Sequence, residues 1–468
     1  MTTHQTERVP LPGANQPRSG TLARRWRLDS RARELFAASA AAGVVAACMA
    51  VGGPTAASAS EQASGSQSGH SVFDCRQPPA GCYTPQQIRV AYGIQPLLDR
   101  GIEGRGETVV MPELAAKLPA SSGAYTDIRQ DLGRFDRLFN LPAPTLRVVT
   151  SIAGAGSPYL ALGEEVEDTE IVHAIAPDAA IVVVLVPSNA TANAANFTAA
   201  LTGVLRIGVA QGAAVVSISG SHGEPLFTRA EVTSLHTALR AARDDHITVV
   251  ASSGDSGVVS DEGPPKQVSL PASDPLVLSV GGTSLDANTT TGTYLGEMAW
   301  NTVVAPGDDD ASAGGFSQLY ARPSYQDGVT GIGAMRGVPD VSADANPAGG
   351  MALATLDGGQ NYTVDAAKGT SAATPLWAAV VALADQEAGH HLGFVNAALY
   401  RIGLGASYDD AFHDVVAGDN SVLTTAGLIT GYQTVPGWDP VTGWGSPDAQ
   451  VLVPLLRSEV RSGDGQGL

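Results

Sequence analysis

The stretch of this 468-residue chain best suited to chemistry is Gly369-Thr370-Ser371-Ala372-Ala373-Thr374-Pro375, which runs straight into the apolar segment Leu376–Ala384. A serine on a tight, glycine-led turn at a helix start has an exposed hydroxyl. The backbone N–H groups around it can face an oxyanion. The same residues also describe an ordinary helix cap, with Thr370 or Ser371 as the capping oxygen. A nucleophilic serine needs a base, and carboxylates offer one. Glu164 and Asp168 are four apart on a predicted helix and share a face that continues through Ile171, Val172 and Ile175. Two acids on an inward stripe are expensive unless they hydrogen-bond or share a proton. The alternative is an acidic first turn favoured by the helix dipole. Glu165, Glu167 and Glu170 fall elsewhere on the wheel and are expected to be solvated.

Further strings surround these residues. Ala251-Ser252-Ser253-Gly254-Asp255-Ser256-Gly257 follows an apolar run, which puts Asp255 at the carboxyl end of a strand. Gly314-Gly315-Phe316-Ser317 and Val338-Pro339-Asp340-Val341-Ser342 lead toward the nucleophile candidate. Later come Asp414-Val415, Pro436-Gly437-Trp438-Asp439 and Thr442-Gly443-Trp444-Gly445-Ser446-Pro447. In this order the motifs resemble the sedolisin family, the serine-carboxyl peptidases of the subtilisin-like clan, over residues 83–455. Tyr83-Thr84-Pro85-Gln86-Gln87-Ile88-Arg89 also looks like the start of that family's mature domain.

The resemblance implies roles. Ser371 would be the nucleophile, Glu164 its general base, Asp168 the partner that orients Glu164, and Asp255 the acid of the oxyanion hole. Glu113, in Met111-Pro112-Glu113-Leu114, matches an acid that hydrogen-bonds the base in some members; a bland strand-end acid is the other reading. One structural Ca²⁺ is implied near the C-terminus, on the carboxylates of Asp414 and Asp439 with Val415, Val435 and Gly437 at carbonyl positions. A histidine triad is not supported. Subtilisins place their histidine before Gly-Thr, and none of the nine histidines here precedes that pair. Val435 stands where the family often has glycine, and Glu167 stands where it usually has an apolar residue. A long activation domain is another family feature, and Ser60–Cys82 is far too short for one.

These residues need a frame to hold them. Apolar runs at 108–111, 146–150, 181–186, 214–219, 247–252 and 276–280 are expected strands. Their Val and Ile content without polar alternation suits a parallel sheet buried on both faces. Helices are expected at 124–138, 164–176, 194–210, 228–243, 370–388 and 392–402, which gives an α/β fold with right-handed crossovers. The fold class is therefore α/β, with the resemblance adding a subtilisin-like, mostly parallel central sheet in one large domain. Binding belongs beyond the carboxyl ends of the strands.

Residues 1–59 read as an export signal: five arginines between Arg24 and Arg33, an uncharged run Leu35–Val51, and small residues Ala57-Ser58-Ala59. Retention as an anchor, or lipidation at Cys48, is the alternative. Residues 60–82 are a linker in which Cys75 and Cys82 could close a short disulfide outside the cell. The peptidase-like domain takes 83–456 and a tail takes 457–468. The formal charge is −19, and losing the first 59 residues leaves 20 basic against 43 acidic side chains. That balance excludes nucleic acid and anionic membrane as partners. The expectation is a secreted, monomeric, calcium-stabilised endopeptidase acting in acid on proteins or peptides. Its rival is a non-catalytic binding or scaffolding protein on the same fold.

Overall fold

The structure is a computed structural model that describes residues 81–115, 128–150, 164–187 and 189–463, apart from 261–264, 304, 306–309 and 357–361. The segments expected to be the export signal and nearly all of the linker, with Cys75, lie outside the described residues. Cys82 is disulfide-bonded.

Eight strands make the central sheet: β1 (Thr108–Ala115), β2 (Thr145–Thr150), β3 (Ala180–Pro187), β4 (Val215–Ile218), β5 (Thr248–Ser252), β6 (Leu278–Ala287), β7 (Tyr294–Ala299) and β8 (Val341–Asp344). The order is β8-β6-β5-β4-β1-β3-β2, every neighbouring pair being parallel, with β7 added antiparallel to β6. All six expected strands are present, and the chain forms the expected single α/β domain.

The helices used below are α1 (Pro85–Ala91), α2 (Ile128–Phe139), α3 (Glu164–Ile175), α4 (Ala194–Gln211), α5 (Arg229–Asp244), α6 (Gly369–Ala388), α7 (Asn396–Gly403) and α8 (Ala449–Gly463). Unbroken Val/Ile runs arise because the sheet is covered twice. On β3, Ile181, Val183 and Leu185 join the core shared with α3 and α6, whereas Val182, Val184 and Val186 join the core shared with α4 and α5. Local chemistry sets the helix ends. Thr228 and Glu231 form a reciprocal capping box on α5, and Asn193 caps α4, which ends on Gly212 at φ 64°. The last helix continues to Gly463, past the expected domain end at Leu456.

Two expectations about α3 need correction. Glu167 and Glu170 are 7% and 0% exposed, not solvated. The hairpin Ala352–Leu356/Tyr362–Ala366 and helix α2 pack on the side of α3 that the wheel assigned to water. Glu170 there accepts a 2.8 Å hydrogen bond from the Ala354 N–H.

Candidate active site

The carboxyl edge of the sheet collects the candidate residues. Glu113 lies near the end of β1, Ser219 just after β4, and Asp255 just after β5. Helix α3 starts at this edge with Glu164, and α6 starts here with Gly369, placing Ser371 in its first turn. The cap alternative for Thr370 or Ser371 does not hold: the capping residue is Lys368, which makes no side-chain capping bond. The Ser371 hydroxyl instead hydrogen-bonds the Glu164 carboxylate. Helix α6 contains Pro375, whose missing N–H would have bonded the carbonyl four residues back. That carbonyl belongs to Ser371, and it accepts from Ser219 Oγ at 3.3 Å.

Asp255 meets the start of α6 with one oxygen. Its Oδ1 accepts from the Thr370 N–H and from Thr370 Oγ1, both at 2.8 Å, and the Gly254 N–H donates to Thr370 Oγ1 at 3.1 Å. A carboxyl whose Oδ1 serves two donors would carry its proton on Oδ2. The glycine at 369 is forced by this contact. Its φ is +79°, and a Cβ there would sit 2.6 Å from Asp255 Oδ2.

The base helix brings three acids into one turn. Glu164, its first residue, is exposed and lines the neighbouring cleft. Its pKa is raised to about 7, chiefly by desolvation; the Ser371 hydrogen bond and Lys368 lower it, and Asp255 raises it. Asp168 is 1% exposed and its Oδ1 meets Ser219 Oγ at 2.9 Å. A hydroxyl has one proton, so Ser219 cannot donate to Asp168 and to the Ser371 carbonyl at once. A protonated Asp168 would satisfy both contacts. Glu167, between the two, accepts from the Lys368 N–H at 3.3 Å. Burial first, then the charges of Glu164 and Asp168, push its pKa well above the usual carboxylate range.

Beside these acids lies a cleft of about 140 Å³ whose lining includes Glu113, Glu164, Ser219 and Gly220 and the apolar Phe197, Leu201 and Ile218. Glu113 is 3% exposed and faces this cleft. Ser317 serves the scaffold and not the cleft, donating to buried Glu224 and holding the 315–321 strand. Asp340 belongs to a buried ion pair with Arg336.

The C-terminal aspartates converge although they are distant in sequence. Both Asp414 carboxylate oxygens accept from the Gly437 N–H, at 3.3 and 3.0 Å. Asp439 Oδ1 accepts from the Val441 and Thr442 N–H groups at 2.8 and 2.9 Å, and its Oδ2 accepts from the Val435 N–H at 3.3 Å. The two carboxylates therefore bracket the Val435–Gly437 turn, with the buried Val415 next in chain to one of them. Among the described residues neither is paired with a lysine or arginine. Asp439 is 1% exposed, and desolvation raises its pKa to about 7. Among the described residues, no group of three or more His, Cys, Asp or Glu side chains is arranged to hold a metal. Two carboxylates are a smaller set of hard oxygen donors, whose chemistry suits Ca²⁺.

Lys368, Ser219, Thr370 and Glu167 were not legible as site residues. Ser219 and Thr370 act through hydroxyl or backbone groups, and Lys368 through its backbone N–H and its charge on Glu164, none of which carries a spacing signal. Glu167 did carry one, since it lies three positions after Glu164 on the same helix.

Residues 148–398 match the subtilase family, Peptidase_S8. Kumamolisin of Bacillus sp. (strain MN-32) is 33% identical over 402 residues, covering 82% of this chain and 66% of kumamolisin. Tripeptidyl-peptidase SED1 of Arthroderma otae is 32% identical over 282 residues, covering 54% of this chain and 36% of the relative. The chain thus spans less than two thirds of either. The solved structure of Pseudomonas sedolisin, a serine-carboxyl proteinase complexed with two molecules of pseudo-iodotyrostatin, superposes with a TM-score of 0.67 at 26% identity, covering 81% of this chain and 99% of that one.

Proposed function

The chain belongs to the subtilase family, in its sedolisin branch, and from that premise we propose that it is an acid-acting serine-carboxyl endopeptidase with Ser371 as nucleophile. The observation that carries this is the hydrogen bond between Ser371 and Glu164 at the mouth of a cleft, with Asp255 bound to the same helix start. Glu164 takes the Ser371 proton as Oγ attacks the scissile carbonyl carbon, and Asp168 orients Glu164. The carbonyl oxygen becomes an oxyanion, met by the Ser371 N–H at the helix start and by a proton on Asp255. Collapse of the tetrahedral species breaks the C–N bond, Glu164 returns its proton to the leaving amine, and an acyl-enzyme remains on Ser371. Water, deprotonated by Glu164, then releases the acid product by the same route.

Acid suits this arrangement. Asp255 donates only while protonated, and Glu164 accepts only while ionised, so the set must share protons among coupled carboxyls. The apolar part of the cleft lining, Phe197, Leu201 and Ile218, suits an apolar substrate side chain. A Ca²⁺ held by Asp414 and Asp439, with carbonyls of Val415, Val435 and Gly437, would neutralise two facing charges and pin these loops. The protein is exported by its N-terminal segment, cleaved or kept as an anchor, and acts as a monomer on protein or peptide substrates.

Digestion of a denatured protein across pH 3–8, with the Ser371→Ala variant alongside, tests this. Activity is expected to be highest in acid, to fade toward pH 8 and to be absent from the variant. Internal cleavage supports an endopeptidase, whereas release of tripeptides alone would replace that half of the proposal. A folded wild type that cleaves nothing would favour the non-catalytic alternative.

A further inference from the structure

We propose that Glu167 is a positioning residue for this reaction, a third carboxyl on the base helix that ties that helix to the start of the nucleophile helix; the inference rests on the peptidase reading above. The backbone just ahead of Ser371 is anchored at three consecutive N–H groups. Lys368 N donates to Glu167 Oε2 at 3.3 Å, Gly369 N to the Ala345 carbonyl at 2.8 Å, and Thr370 N to Asp255 Oδ1 at 2.8 Å. Each anchor comes from a different element: helix α3, the loop after β8, and the loop after β5. Only the first joins the nucleophile's helix directly to the helix that carries its base.

The position makes little sense as packing alone. Glu167 is 7% exposed, and among the described residues its Oε1 is buried without a hydrogen-bond partner. A buried carboxyl with one unmet oxygen costs more than a leucine of similar volume would. The neighbours make a bare charge there costlier still. Glu164 and Asp168 lie on the same helix, and Asp255 faces it from the loop after β5. As a neutral acid, Glu167 keeps an acceptor on Oε2 without adding a further charge beside the base. Lys368 caps α6 with no side-chain bond of its own, so backbone anchors of this kind fix where the helix begins. Ser371 lies three residues on, and small displacements of a nucleophile from its base are costly in rate.

The test compares Glu167→Leu, Glu167→Asp and Glu167→Gln by kcat, KM and melting temperature, with wild type and Ser371→Ala as references. Leucine removes the acceptor, and aspartate keeps the acid but is one methylene too short to reach. Glutamine keeps an acceptor of full length. Leu and Asp are expected to lower kcat about 10- to 100-fold while KM stays within about twofold, as for a misplaced catalytic group. Glutamine is expected to restore kcat to within about threefold of wild type, because its amide oxygen can meet Lys368 N–H as the acid does. Should the leucine variant not fold, the Asp-against-Gln difference decides. Leu and Asp variants as active as wild type, or a Gln variant as impaired as the others, would overturn the inference. A wild type without Ser371-dependent cleavage would instead overturn the peptidase proposal itself.

Discussion

Two groups of acids in this molecule are handled in opposite ways. Asp340 is fully buried and every lone pair is answered: Arg336 binds both oxygens at 2.7 Å, Tyr400 OH donates at 2.8 Å, the Ser279 N–H at 2.9 Å and Asn396 Nδ2 at 3.1 Å. At the sheet's carboxyl edge, Glu164, Glu167, Asp168 and Asp255 crowd together, and the cation acting on Glu164 is Lys368, which sits at the start of α6. A carboxylate met by donors on every side inside the protein is held rigidly. Acids pressed on one another without matching cations must trade protons instead, which is what a carboxyl-based proton relay requires. Burial alone does not separate the two, since Glu167 and Asp168 are nearly as buried as Asp340.

The largest expected effect falls on the matched group. Asp340→Ala would strand the Arg336 guanidinium in the core, and losing one partner of a buried pair typically costs about 3–5 kcal/mol. Denaturant unfolding should show that loss, while the kcat of molecules that remain folded changes little. An unchanged midpoint would mean that the pair is not the anchor it is taken to be here.

Asp255→Ala reverses the expectation. A lost oxyanion donor should lower kcat by about 10²–10³, with a much smaller effect on stability. Asp255→Asn keeps a donor that does not titrate, so it should retain more activity and lose part of the fall toward neutral pH. Equal kcat in wild type and alanine variant would remove Asp255 from the oxyanion hole. A pH profile in the asparagine variant identical to that of wild type would show that its proton does not set the acid dependence.

How far this difference could be read from sequence depends on what each group leaves there. The parallel sheet was legible because double burial writes itself as unbroken Val/Ile runs, as in β3. Ser371, Glu164, Asp168 and Asp255 stood out because they sit on short strings with glycine or helical spacing. The matched pair did not stand out, since Arg336 and Asp340 look like any surface i,i+4 pair until α7 and β6 close over them. Glu167 was misplaced for the complementary reason. A helical wheel shows which residues share a face, but not that a hairpin covers the opposite one. The short strands beyond β6 and the terminal helix α8 were also missed, their pairing being set by tertiary contact more than by local pattern.

Unmatched acids should also write themselves into the pH dependence of stability. Desolvation raises Glu167, Glu170, Glu224, Glu297 and Asp344 above the usual range and takes Asp385 to about 8. A carboxyl with a raised folded pKa binds its proton where the unfolded chain has released it. Its contribution is fully present below about pH 4 and is lost as pH climbs through the folded value. Stability should therefore decline from about pH 4 to pH 8, and a shift of about two units at one site is worth about 2.7 kcal/mol. Calorimetry or chemical denaturation across that window checks the sign. A midpoint that rises with pH would mean that these acids are ionised in the folded state.

Asp414 and Asp439 should show the smallest effect and fall between the two groups, unmatched by any side-chain cation among the described residues yet apart from the four acids at the sheet's edge. If Ca²⁺ is their partner, binding must compete with the proton on Asp439, whose pKa is raised to about 7. The metal's benefit should then grow as pH rises through 7, opposite in sign to the trend of the other buried acids. At about tenfold excess over Kd, binding to the folded state alone contributes about 1.4 kcal/mol. For a domain of this size that is a melting-temperature gain of about 1–3 °C. The gain should be clear at pH 7.5, weaker at pH 5, abolished by chelator, and missing from Asp439→Ala. Equal melting temperatures with calcium and with chelator at pH 7.5 would leave the aspartates as turn formers capped by the Gly437, Val441 and Thr442 N–H groups. They would then be a third way of burying a carboxylate, matched by backbone dipoles in place of a cation or a shared proton.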